Sequence, residues 1–168
     1  MNFGDTPFKM EEPLLTHKEA VDITGVPSKT LNNWTQREII ELGEMHRTGR
    51  RLYSMHDLIQ LKIIYELVEL VQMPISYAAA TAKWARERSF EMTARDVDGV
   101  LKYKGPKNSE RHYLTVFFKD GSHKIEMQKG TKWVTGHSIS FPVIILPLDD
   151  IIWKVLNQCF DTLDPDMS

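Results

Sequence analysis

Apolar and polar positions follow one spacing in the first half of the chain and another in the second. Apolar residues recur every three or four positions between Met55 and Val71, which predicts a helix that ends before Pro74. Beyond about residue 95 the pattern changes, and residues 112–119 are rich in the Tyr, Val and Phe typical of strands. The sequence therefore predicts an α+β protein whose helices precede a small antiparallel sheet.

Two shorter helices are predicted before Met55. Thr16 and Glu19 stand three positions apart, the spacing of a capping box, and Gly25 is the residue type that ends a helix in a left-handed conformation. After a short turn, Ser28 is expected to cap a second helix over residues 29–38. Two helices joined by so short a turn predict a helix-turn-helix.

The second predicted helix has an apolar face and a polar face. Leu31 and Trp34 lie three positions apart and are expected to face the first helix. The other face carries amides and an ammonium group, which can bind adenine and guanine edges in the major groove of DNA. The candidate base-reading residues are Lys29, Asn32, Asn33 and Gln36. An ordinary solvated helix face has the same pattern, so the next segment decides between the two interpretations.

That next segment is a basic ribbon over residues 45–53, with a glycine and three arginines. A β-hairpin wing of this kind beside the helix would bind phosphates and fix the register of the protein on DNA without reading bases. The candidate backbone contacts, on the helix and the ribbon together, are Thr30, Arg37, Arg47, Arg50, Arg51 and Tyr53. Ser54 and Asp57 repeat the capping spacing and begin the third helix.

From Leu15 to about Trp84 the chain resembles the DNA-binding domain of MerR-type transcriptional regulators. The matching residues are Thr16, Glu19-Ala20, Thr24-Gly25-Val26, Lys29-Thr30-Leu31, Trp34, Gly49 to Ser54, Asp57-Leu58 and Leu61. The resemblance implies a winged-helix dimer on an inverted-repeat operator, with the second helix in the major groove, the wing on the backbone and RNA polymerase as a further partner. Asn32 and Asn33 stand where this family usually has an arginine and a tyrosine.

A fourth helix and a small sheet are predicted after the resemblance ends. Ser76 is expected to cap a helix reaching about Arg88, whose alanines suit close contact with a helix of the same subunit or of a second one. Strands are expected near residues 98–103, 112–119, 123–128 and 138–146, with a type I′ turn at Asp120-Gly121 and a last helix begun and capped by Asp149-Asp150. So small a sheet gains from burial against a partner, which favours dimerisation, with effector binding as the alternative.

The predicted organisation has four parts. They are a flexible lead-in over residues 1–13, a MerR-like winged-helix domain over 14–90, a β-rich dimerisation or effector domain over 95–163, and an acidic tail over 164–168.

The composition of the chain limits the kinds of binding and catalysis that can be expected of it. The net charge of −2, with 7 Lys/Arg against 9 Asp/Glu in residues 1–60, argues against indiscriminate nucleic-acid binding and favours two DNA-binding heads acting together. A single cysteine, Cys159, excludes an internal disulfide and is expected in the core, and the scattered histidines predict no metal site. No nucleophile or phosphate-loop motif predicts an enzyme or a cofactor, and no long apolar run predicts contact with a membrane.

These patterns predict a cytoplasmic, nucleoid-associated transcriptional regulator that binds double-stranded DNA as a homodimer. Two alternatives use the same winged helix differently. One is an excisionase-like recombination directionality factor that bends DNA, and the other is an adaptor that binds protein, which the acidic balance of the head would suit.

Overall fold

The structure, a computed structural model, describes residues 10–97, 100–103, 111–119, 122–130 and 143–163. Helices dominate its first half and strands its second, so the predicted α+β class is confirmed. The elements are β1 (Leu15–Thr16), α1 (His17–Thr24), α2 (Ser28–Gln36), β2 (Glu44–Met45), β3 (Arg51–Tyr53), α3 (Met55–Val71), α4 (Ile75–Thr93), β4 (Ala94–Val97), β5 (Val100–Tyr103), β6 (His112–Lys119), β7 (Ser122–Lys129), β8 (Val143–Pro147) and α5 (Leu148–Leu163).

The capping signals around α1 are confirmed. The Thr16 amide donates to Glu19 Oε2 at 2.7 Å, and Gly25 ends the helix with φ 71°. The prediction that Ser28 caps α2 is wrong. Pro27 occupies the cap position with φ −58° and ψ 134°, an extended conformation that its ring permits, so Ser28 is already the first helical residue.

A three-stranded antiparallel sheet in the order β1-β3-β2 combines the strand before α1 with the hairpin predicted over residues 45–53. β2 pairs with β3 so that Met45 lies opposite Arg51. At the tip, the His46 amide donates to the Arg50 carbonyl at 2.8 Å, and Gly49 adopts φ 76°. Pairing of β1 with β3 fixes the hairpin against the start of α1.

Helices α3 and α4 pack against one another. The bounds of α3 agree with the prediction, and the Ser54 hydroxyl accepts from the Asp57 amide at 3.1 Å. Ser76 lies inside α4 and cannot cap it, because the helix begins at Ile75 directly after Pro74. The alanines buried against the core are Ala78, Ala82 and Ala85, so this alanine contact is internal to the chain.

The second half contains a two-stranded ladder, β4-β5, and a three-stranded sheet in the order β7-β6-β8. Lys119 pairs with Ser122, so β6 and β7 are joined as the predicted hairpin. The turn type predicted for Asp120-Gly121, and residues 138–142 of the last predicted strand, lie outside the described residues.

Helix α5 packs against both α1 and α3, and its apolar face joins the same hydrophobic cluster. Asp149 and Asp150 lie in the first turn of α5, as predicted, and both also bind residues at the start of β6. The Asp149 side chain is buried, and its Oδ2 accepts from the His112 amide at 2.7 Å, while Arg111 pairs with Asp150 at 3.0 Å. These contacts join the start of α5 to the start of β6. Burial raises the pKa of Asp149, although its bonds with His112 oppose the shift. The domain division near residues 90–95 remains a prediction.

Cys159 lies in the core, as predicted, and burial raises the pKa of its thiol to about 12. Because the thiolate is the reactive form, the native chain is expected to resist a thiol reagent at pH 8. The thiol should react only when the chain unfolds, which a reagent titration across a urea series measures. Reaction of the native chain at the rate of a free cysteine would contradict this burial.

Within the described ranges, no helix combines the length and apolar character that crossing a bilayer requires.

Candidate nucleic-acid interface

Helix α2 has a buried apolar face and an exposed polar face, as its sequence predicts. Leu31 and Trp34 are buried in the core, and the Thr35 hydroxyl donates to the Leu31 carbonyl at 2.9 Å. The four candidate base-reading side chains, Lys29, Asn32, Asn33 and Gln36, are all exposed. The helix therefore presents an outward surface of amides and one ammonium group.

Two concave surfaces meet along this outward face. The first, here called the α2 groove, has a volume of about 660 Å³ and runs between the start of α1, one side of α2 and the β2-β3 hairpin. The second lies over the outer side of α2, where Thr30 and Arg37 border it near opposite ends of the helix. Asn32 and Gln36 contribute to both surfaces, whereas Asn33 contributes to the second. The predicted helix residues thus form one continuous surface.

The hairpin supplies positive charge beside α2. Arg47 and Arg50 are exposed, and neither side chain takes part in a hydrogen bond or ion pair within the part of the chain that the structure describes. Arg50 lines the α2 groove. Both guanidinium groups are therefore available to a phosphate without breaking an existing contact.

Arg51 has a different environment from the other two arginines of the hairpin. It is half-buried, and its Nη1 donates to the carbonyls of Leu42 at 2.8 Å and Gly43 at 3.1 Å. These bonds join β3 to the segment that enters β2. Arg51 therefore holds the base of the hairpin, a role that the sequence analysis did not predict.

Tyr53, which the sequence analysis assigned to a phosphate contact, lies in the core. Its side chain is 0% exposed, because it packs beneath the hairpin as part of the core. Among the described residues its hydroxyl has no hydrogen-bond partner, and burial raises its pKa while the charge of Arg51 opposes the shift. Tyr53 supports the floor of the α2 groove rather than presenting a group to its surface.

The structure adds two side chains that the sequence analysis missed. His17 and Lys18, in the first turn of α1, line the α2 groove together with residues of the hairpin. His17 Nε2 and Ser28 Oγ share a hydrogen bond of 3.0 Å, which joins the starts of α1 and α2. Lys18 adds an exposed cation. No local motif identifies these residues, because only the pairing of β1 with β3 brings the start of α1 to the hairpin.

The described part of the chain contains no cluster of three or more His, Cys, Asp or Glu side chains that could hold a metal ion. The chemistry of this surface is that of amide hydrogen bonds and cationic side chains. Such groups recognise base edges and phosphates.

Comparison with known families places this surface in a recognised domain. Residues 15–83, about two fifths of the chain, match the family described as MerR HTH family regulatory protein. The matched range begins at β1 and ends within α4, so it contains both helices of the helix-turn-helix and the whole hairpin. A comparison with curated proteins finds no match.

Proposed function

We propose that this chain, a DNA-binding transcription regulator whose residues 15–83 form a MerR-type helix-turn-helix domain, reads a specific double-stranded sequence with α2 and holds the backbone with the hairpin. One observation carries the proposal. The α2 groove places exposed amides of α2 directly beside an arginine of the hairpin, so base edges and a phosphate can be bound by the same surface.

The dimensions of α2 suit the major groove. Its 9 residues make a rod roughly 14 Å long, since an α-helix rises about 1.5 Å per residue. A helix with its side chains is about 10–12 Å across, so the major groove of B-DNA, about 12 Å wide, admits one such helix. In that position Asn32 and Asn33 would bind adenine edges and Lys29 a guanine edge, because these are the pairings their donors and acceptors favour.

Backbone contacts would come from both sides of the α2 groove. Arg47 and Arg50 extend from the hairpin, and Lys18 extends from α1. Cations from two elements beside α2 would bind phosphates next to the base edges that α2 reads. The resulting contacts set orientation and contribute most of the salt dependence of binding.

A single domain of this kind is expected to bind weakly. Residues 1–60 hold fewer basic than acidic side chains, and affinity for DNA depends largely on neutralised phosphates. Two copies on an inverted repeat double the phosphate contacts and match the two-fold symmetry of the site. We therefore propose that a homodimer is the DNA-binding form.

Selection of bound sequences from random double-stranded DNA tests the proposal directly. The expected result is an enriched inverted repeat, and the mass of the complex should correspond to two chains per site. Failure to enrich any sequence would contradict sequence-specific binding and would favour the adaptor interpretation. Enrichment of a site without repeated halves would contradict the dimer.

Removal of the hairpin charges tests the backbone contacts. Arg47→Ala and Arg50→Ala should each weaken binding to the selected site and lower the slope of log K against log salt by about one unit, because one phosphate contact is lost. Fluorescence anisotropy across a salt series measures both quantities. Lys154→Ala is the matched control, since Lys154 is an exposed cation on α5 and should leave the slope unchanged. Equal slopes for all three variants would contradict the role of the hairpin.

A further inference from the structure

We infer that Met45 contacts the C5-methyl group of a thymine and thereby adds base recognition to the hairpin. The inference rests on the proposed function and assigns a specificity-determining residue to the α2 groove. Base edges in the major groove carry hydrogen-bond donors and acceptors, and thymine adds one apolar group, its methyl. The amides of α2 suit the polar groups, whereas covering the methyl group is favourable for an apolar side chain.

Met45 is exposed, although it is a large apolar residue. Its exposed fraction is 62%, and the other large apolar side chains exposed in the described ranges are Leu70, Tyr77, Trp84 and Ile145. A single exposed apolar residue is common on protein surfaces and by itself indicates nothing. Position distinguishes Met45 from the other four, because it alone among these five lines the α2 groove.

The α2 groove brings Met45 to the same concave surface as two of the base-reading amides. Asn32 and Gln36 line it from α2, and Arg50 lines it from the hairpin. A duplex whose bases reach these amides and whose phosphate reaches Arg50 would therefore cover the Met45 side chain as well. A thioether offers a phosphate no hydrogen-bond donor, so the gain from that burial comes from apolar contact.

Thr35 does not compete with Met45 for the recognition of thymine. Thr35 also lines the α2 groove, and its hydroxyl donates to the carbonyls of Leu31 at 2.9 Å and Asn32 at 3.2 Å. Its one proton is thus used within the helix, and no donor is left for the O4 acceptor of thymine. Contact with the methyl group is what distinguishes thymine for this pair of residues.

The backbone of Met45 is held at several points. Met45 pairs with Arg51 across the β2-β3 ladder, so the two side chains leave the same face of the sheet. The amide of the next residue, His46, donates to the Arg50 carbonyl at 2.8 Å. Two residues before Met45, the Gly43 carbonyl accepts from Arg51 Nη1 at 3.1 Å. This segment is fixed before DNA binds, so only the side chain has to be ordered in the contact.

Replacement of thymine by deoxyuridine tests the contact, because it removes the methyl group and leaves base pairing unchanged. Each thymine in one half of the selected site is replaced in turn, and fluorescence anisotropy measures the affinity of the wild-type chain. At one position the affinity should fall about fourfold, which corresponds to one buried methyl group. Equal affinities for thymine and deoxyuridine at every position would overturn the inference.

Substitution of Met45 assigns the methyl contact to this residue. Met45→Gln keeps the length of the side chain but replaces its apolar end by an amide, so this variant should bind the thymine and deoxyuridine sites equally. Met45→Leu keeps an apolar side chain and should keep the preference for thymine. If Met45→Gln shows the wild-type preference, another residue covers the methyl group and the assignment to Met45 is wrong.

Leu70→Gln is the matched control, since Leu70 is 59% exposed on α3 and does not line the α2 groove. It should leave every affinity unchanged. Met45→Gln should bind random DNA as tightly as the wild type does, which also shows that the variant folds. Equal losses on random DNA and on the selected site would mean that Met45 contacts sugars, and they would contradict the reading of thymine.

The same titrations separate failure of this inference from failure of the proposed function. If selection from random DNA enriches no site, the proposed function fails and the inference fails with it. If a site is enriched and Asn32→Ala weakens binding to it, but deoxyuridine changes nothing, α2 reads bases and the inference about Met45 fails alone.

Discussion

Replacement of Gly43 by alanine is expected to destabilise the chain by about 2 to 4 kcal/mol and to disrupt the hairpin. Gly43 has φ 72°, and a Cβ atom there would lie 2.8 Å from the Leu52 carbonyl oxygen and 2.9 Å from Tyr53 Cδ1. The first obstacle is backbone and the second is a ring packed in the core. Neither can move without opening the sheet.

Gly49→Ala is the control for this prediction. Gly49 has a similar φ of 76° but lies at the tip of the hairpin, where an added Cβ meets no atom within 4 Å. This substitution should therefore cost only the left-handed conformation, about 1 kcal/mol. Urea denaturation of both variants measures the difference, and equal losses would show that the base of the hairpin is not closely packed.

The Gly43 change should also weaken binding to the selected DNA site. The Gly43 carbonyl accepts from Arg51, so a shift at this position releases the contact that holds the base of the hairpin. Arg47 and Arg50 would keep their charges but lose their fixed position. Affinity for the selected site should fall. Affinity for random DNA should fall less, because it depends less on the exact position of these two arginines.

The second large effect is expected at the outward face of α2. Asn32→Ala and Asn33→Ala should each cost about 1 to 3 kcal/mol on the selected site, roughly a 5-fold to 150-fold loss of affinity, because a bidentate contact with a base is removed. Binding to random DNA should change little. Anisotropy titrations on both DNAs measure the two losses.

Arg50→Ala provides the opposite control for these asparagines. A phosphate contact does not depend on the DNA sequence. Its loss should therefore weaken binding to the selected site and to random DNA by a similar factor, and it should reduce the slope of log K against log salt. The asparagine variants should leave that slope unchanged. If the asparagine variants lose affinity for both DNAs equally, Asn32 and Asn33 contact the backbone, and α2 does not lie in the major groove as proposed.

Local signals predicted much of the fold. The pairs Thr16 with Glu19 and Ser54 with Asp57 are three residues apart, and both form the hydrogen bonds that their spacing indicates. The strand over residues 112–119 was equally readable, because its enrichment in Tyr, Val and Phe can be recognised without knowledge of the rest of the chain.

Contacts between distant parts of the chain could not be predicted in this way. The bonds of Arg51 to the carbonyls of residues 42 and 43 were not predicted, since nothing in the ribbon shows that these carbonyls approach its guanidinium group. Tyr53 is buried because three strands and α1 enclose it, and Asp149 is buried because β6 begins beside it. The charge and type of a residue are the same whether its side chain is on the surface or in the interior, so the sequence alone does not separate the two.

Packing of α5 on α1 and α3 has a consequence for any shortened form of the chain. A fragment that stops near residue 90 would uncover the apolar side of the helix-turn-helix that α5 shields, and it is expected to aggregate rather than to bind DNA. A stop codon between the helix-turn-helix and α5 would thus inactivate the helix-turn-helix without altering a single one of its residues.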